Sequence, residues 1–158
     1  MLVGEKMKDY LPEMIHTLSK AVTFPSKRGE PQQGMPYGKA GYEGLEYILE
    51  KAAQMGFKTK NVDGYCGYAE YGEGEELAAI ITHFDVVPEG IGWTHSPYGG
   101  EIVGDTIYGR GVSDNKGAGV VALYCLKLLK DLKIVPKRRI RVIFGLDEEC
   151  GMSDMEYY

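Results

Sequence analysis

LAAIITHFD, residues 77–85, is an apolar run that breaks off into a histidine and an aspartate. Its first six residues carry no charge and leave no polar face, the pattern of a short strand covered on both sides. RIRVIFGL (139–146) reads as a second strand of the same kind. Between them, Val120, Val121, Leu123, Tyr124, Leu126, Leu128 and Leu129 fall at helical spacing within Asp114–Leu132, and Pro136 follows as a stop. Strand, long helix, strand is a β-α-β unit, and ligands on such sheets gather at the carboxyl ends of the strands. His83 and Glu148 lie just past those ends.

Working outward, Met7, Leu11, Met14, Ile15, Leu18 and Val22 predict a first helix that stops before Pro25. KRGEPQQGMPYGKAG (27–41) is dense in Gly and Pro and reads as irregular loop. Leu45, Ile48, Leu49, Ala52 and Ala53 then line one face of a second helix ended by Gly56. FKTKNV and YCGYAEY form two strands around the Asp63-Gly64 turn, and a further short pair flanks Gly104-Asp105. A last helix begins near GMSDMEYY, with Ser153 as its cap. The sum is an α/β fold with a mixed sheet flanked by helices.

With 44% hydrophobic residues in 158, the chain can build a core without disulfide or metal staples. Its net charge of −5 is spread in short mixed runs, so no basic stripe is available for a nucleic acid backbone. The opening MLVGEKMKDYLPEM lacks the basic start and apolar run of a signal peptide, and nothing approaches the roughly 18 apolar residues of a membrane span. A cytoplasmic location and no membrane partner are the expectation. Cys66, Cys125 and Cys150 are odd in number and far apart, which predicts reduced thiols with packing roles.

Three segments carry candidate chemistry. Residues two apart on an extended strand project to one side, so Asp85 can accept the imidazole N–H of His83 that a metal would leave free. The alternative is a hydrogen-bonded histidine at a strand end. GRGVSDNKG (109–117) fails as a phosphate loop, since its lysine precedes the glycine and no Ser or Thr follows in place. It reads better as a bend that aims Asp114 inward from a helix start, where a carboxylate stays ionised and can bridge two cations; a plain helix cap is the alternative. Glu148 and Glu149 are adjacent and diverge, so one can coordinate while its neighbour faces a reacting water. An exposed acidic turn would look the same. Their conjunction beside one sheet favours half of a two-metal hydrolytic site.

The motifs PYGKAGYEGLEYILEKAAQMGFKTKN, VDGYCGYAEYG, HFDVVPEG, GWTHSPY, IYGRGVSDNKG and VIFGLDEECGMSDMEYY resemble the N-terminal part of the dizinc metallopeptidases. That family includes aminoacylases, desuccinylases, glutamate carboxypeptidases and PepV-type dipeptidases, and the last group is the most similar. The resemblance implies that His83 binds one zinc, Asp114 bridges both, Glu149 binds the second, Asp85 supports His83, and Glu148 is the general base. It implies a cis peptide between Asp114 and Asn115, and hydrolysis of dipeptides or small peptides by zinc-activated water, with Mn2+ or Co2+ as substitutes. Thr82 departs from the family's frequent glycine, which crowds the approach to His83. The family also implies that 1–158 is the N-terminal part of a catalytic domain, a partial zinc-peptidase-like fold whose lid or dimerisation domain and further ligands lie beyond Tyr158. On that expectation the isolated chain binds metal weakly, is inactive and is prone to self-association. His16 and His95 match no ligand position. The alternatives are an N-acyl amino acid deacylase of the same family and a non-catalytic binding module.

Overall fold

A computed structural model describes residues 3–158. A 3-10 turn, Val3–Tyr10, runs into α1, Leu11–Val22, so the first apolar stripe is served by two helix types with Pro12 at their junction. Pro suits that place because the opening N–H groups of an α-helix have no partner within the helix. Then come α2, Lys39–Gln54, and an antiparallel pair, β1, Lys58–Val62, and β2, Cys66–Tyr71. Asp63 and Gly64 turn between them with φ of 51° and 78°, the conformation the Asp-Gly dipeptide favours. β3, Leu77–His83, is followed by the small hairpin of β4, Glu101–Val103, and β5, Thr106–Tyr108. α3, Gly117–Asp131, leads to β6, Arg139–Gly145, and the chain closes on α4, Ser153–Tyr157.

The main sheet has the order β1-β2-β6-β3, with β3 parallel to β6 and the other pairs antiparallel. The expected β-α-β unit is therefore present, and the sheet is mixed. Leu45, Ile48 and Leu49 of α2 meet Val120, Leu123 and Tyr124 of α3 over Ala69, Val142 and Phe144 of the sheet, forming one buried core. Register decides where the chemistry falls: His83 pairs with Gly145, and the Phe84 N–H continues the ladder to the Gly145 carbonyl at 2.8 Å. Both parallel strands thus end level, which delivers His83 and the acidic turn after β6 to the same rim.

Three expectations need correction. β3 is not covered on both faces: it is an edge strand, and Leu77, Ile80 and Ile81 are 41%, 42% and 61% exposed. Apolar content separates a strand from a loop but carries no information about its neighbours. Ser153 is the first residue of α4 and not its cap; Met152 holds that place in a left-handed conformation, φ 60°, while the Ser153 hydroxyl donates to Asp147. Of the cysteines, Cys66 is buried, as a packing role requires, whereas Cys125 and Cys150 are exposed. Among the described residues, no helix is long and apolar enough to cross a membrane.

Candidate metal centre

His83 ends β3 with its side chain almost wholly buried. Its Nδ1 lies 3.3 Å from both the backbone carbonyl and Oδ1 of Asp85, as their spacing on an extended chain predicts. The carbonyl is aligned to accept, whereas Asp85 Oδ1 is buried without an aligned donor among the described residues. The other oxygen of the same carboxylate accepts the backbone N–H of Glu149 at 3.0 Å. Asp85 therefore touches the histidine with one oxygen and fixes the acidic turn with the other.

Asp114 reaches the centre from a different element. It sits in a π-helical turn, Val112–Lys116, with extended angles of φ −127° and ψ 98°, and its peptide bond to Asn115 is cis. It precedes α3 instead of opening it, so no helix dipole explains its placement; the loop backbone aims it. Gly111, at φ 88°, makes the preceding bend, and a Cβ there would meet Val86 and Lys116. Asp114 Oδ1 lies 3.1 Å from His83 Nε2, and Glu148 Oε2 lies 3.7 Å from the same nitrogen.

Ligating atoms of His83, Asp114 and Glu149 all fall within 4.8 Å of one another. For donors about 2.0 Å from a tetrahedral zinc, the separation between donors is roughly 3.3 Å, so the His83–Asp114 distance fits one shared ion, and an imidazole with two carboxylates is a donor set zinc accepts. Glu148, His83, Asp114 and Asn115 border a cavity of about 280 Å³, whose other wall carries Ile81, Met152 and Met155. Burial disfavours the His83 imidazolium, but the Asp85 carboxylate and the Glu148 charge outweigh it and hold the pKa up to about 9. Glu149 is pushed above the ordinary carboxylate range, first by burial and then by the Asp114 charge. The carboxylates of Asp85, Asp114 and Glu148 thus crowd negative charge around His83 and Glu149, which a cation would relieve.

The Thr82 hydroxyl donates to the Ile143 carbonyl at 2.8 Å, and His83 beside it reaches Asp114. His16 is exposed on α1, and His95 stacks on Tyr108 and faces Glu101, so neither joins the centre. Apart from Asp85, the supporting residues carry little signal in the sequence. Asp147 is fully buried, takes the Arg28 guanidinium at 2.5 Å, and accepts from the N–H and hydroxyl of Ser153. Asp154 accepts the N–H groups of Leu146 and Asp147 at 2.7 and 3.1 Å, and a side chain at Gly145 would collide with it. Lys116 is 0% exposed, and burial pushes its ammonium down to about 7 against the raising charge of Asp85. Its one sequence signal is register: it lies four residues before Val120, a charge on the stripe that α3 buries. Asp147 and Asp154 gave none, being acids in an acidic tail.

Residues 79–157 match the family model described as Peptidase family M20/M25/M40. The chain is 42% identical over 125 residues to the Bacillus subtilis (strain 168) protein named "Putative dipeptidase YtjP", covering 79% of this chain and 27% of that one. In fold it is similar to human carnosine dipeptidase 1, with a TM-score of 0.80 and 23% identity, over 98% of this chain and 36% of that one. It is also similar to the M20 family metallo-carboxypeptidase Sso-CP2 from Sulfolobus solfataricus, with a TM-score of 0.70 and 28% identity, over 87% of this chain and 31% of that one. The chain thus spans about a third of the length of the proteins it matches.

Proposed function

Since the chain belongs to peptidase family M20/M25/M40, we propose that it contributes half of a dinuclear zinc centre for hydrolysing dipeptides or other small peptides. The observation that carries this reading is the convergence of His83, Asp114 and Glu149 within 4.8 Å, with Glu148 on the cavity that His83 and Asp114 border. His83 would hold one ion, Glu149 the second, and Asp114 would be shared between them. Mn2+ or Co2+ would serve the same nitrogen and oxygen donors. A bound divalent pair supplies acidification of water and polarisation of the scissile carbonyl.

The remaining work falls to side chains of this chain. Asp85 holds the imidazole so that Nδ1 carries the proton and Nε2 is free to ligate. Glu148 takes a proton from the water as its oxygen bonds to the carbonyl carbon, then delivers that proton to the amine nitrogen as the C–N bond breaks. Three protein ligands divided between two ions leave each with about two, where catalytic zinc has about three, so residues 1–158 alone hold metal weakly and do not turn over substrate.

The test is made in a protein of the relatives' full length carrying this stretch. Glu148→Gln is expected to retain both metals while dipeptide turnover drops about 100-fold or more; unchanged turnover refutes the assigned role. The same protein should cleave dipeptides in preference to N-acyl amino acids, and the reverse preference would move the reading to a deacylase.

A further inference from the structure

Lys116 has no part in the chemistry above, yet it is the most deeply placed cation of the chain and lies two residues from Asp114. Its Nζ donates to the carbonyls of Ala21 at 3.1 Å and Phe24 at 2.7 Å, where α1 ends. Carbonyls at a helix C-terminus lack partners within the helix and carry the negative end of its dipole, so they suit an ammonium. Both acceptors are backbone atoms, so the side chain ties one main-chain segment to another.

The anchored segment is itself bound to the His83 strand. The Ser26 hydroxyl donates to the Phe84 carbonyl at 2.5 Å, and the Val86 N–H donates to the Ser26 carbonyl at 3.2 Å. Lys116 N–H also donates to the Gly111 carbonyl at 3.0 Å, closing the loop that carries Asp114. A continuous path therefore runs from the Asp114 loop through Lys116 to residues 21–26, and from there to the strand end bearing His83 and Asp85.

We propose that Lys116 is a positioning residue: by pinning the Asp114 loop to the end of α1, it sets the distance between the Asp114 carboxylate and His83 Nε2. The inference rests on the proposed metal reading, but its first readout needs no metal. A side chain that merely filled space would be replaced without loss by methionine, which has similar length and no donor. Burial of an ammonium is costly, and its two bonds are spent on the segment that supports the site.

The experiment follows the 15N signal of His83 Nε2 in the metal-free chain, then zinc affinity by competition with a chromophoric chelator. Lys116→Met is expected to shift the His83 signal toward that of Asp114→Ala, which removes the 3.1 Å contact directly, and to weaken zinc at least tenfold. Thr17→Val, which removes the buried Thr17–Tyr124 hydrogen bond between α1 and α3, controls for lost stability and should leave both readouts in place. Lys116→Gln keeps a donor and should recover part of each; if Lys116→Met does not fold, this variant decides by the same signal. A wild-type His83 signal in the Lys116 variants overturns the proposal, as does an equal loss in Thr17→Val. If wild-type chain takes up no zinc while the His83 signal still responds to Lys116, the metal reading fails and the positioning role stands.

Discussion

Asp85 works with both of its oxygens, one beside His83 Nδ1 and the other holding the Glu149 N–H, so a single carboxylate links a candidate ligand at the end of β3 with one in the turn after β6. Asp85→Asn turns one of those acceptors into a donor and forces His83 toward the wrong tautomer; zinc affinity should fall about 10- to 100-fold, and an unchanged titration would contradict the link. The metal-free chain also makes a pH prediction. His83 is held at about 9 instead of 6.5, so its contribution to stability is complete below pH 6.5 and is lost as pH rises through 9. Lys116, pushed from 10.5 to about 7, binds fewer protons folded than unfolded between those values, so its contribution rises with pH. The two slopes oppose each other between pH 7 and 9. In EDTA, wild-type stability should be nearly level across that window, and His83→Gln should reveal a rise of up to about 1.4 kcal/mol per pH unit in denaturant unfolding. A level curve in the variant would contradict this account. His83, Asp114 and Glu149 were legible because each is a ligand type set beside glycines or a strand end. Lys116, Asp147 and Asp154 were not, because burial of a charge depends on partners such as Arg28 and the end of α1 that lie far away in sequence.

Elements were easier to read than their neighbours. The β3-α3-β6 unit, the Asp63-Gly64 hairpin and α2 follow from periodicity and turn residues, which act locally. The position of β3 at the sheet edge does not, since an apolar run looks alike whether one or two strands flank it. The consequence is an open row of backbone groups beside exposed Leu77, Ile80 and Ile81. Such edges recruit further strands, and natural proteins block them with charge. We expect the 158-residue chain to self-associate with rising concentration, and Ile81→Lys to reduce its weight-average mass in sedimentation equilibrium. Wild-type chain that stays monomeric across the series would count against this role for the edge. The π-helical turn was also hidden: DNKG was read as a helix start, and the extended conformation of Asp114 comes from the contacts around Gly111 and Lys116.

At the scale of the whole molecule, a parallel pair ending in register, a glycine-bent loop and an anchored acidic turn bring three donors to one rim, with buried Asp85 serving His83 and Glu149 and buried Lys116 tying down the Asp114 loop. The central claim is that this rim holds a metal, and anomalous diffraction at the zinc edge from crystals of the chain grown with excess zinc tests it most directly. The account predicts a peak about 2.0–2.2 Å from His83 Nε2 and an Asp114 carboxylate oxygen, with Glu149 drawn toward a second ion. Zinc found only elsewhere, for instance between His95 and Glu101, with the His83 rim empty, would contradict it.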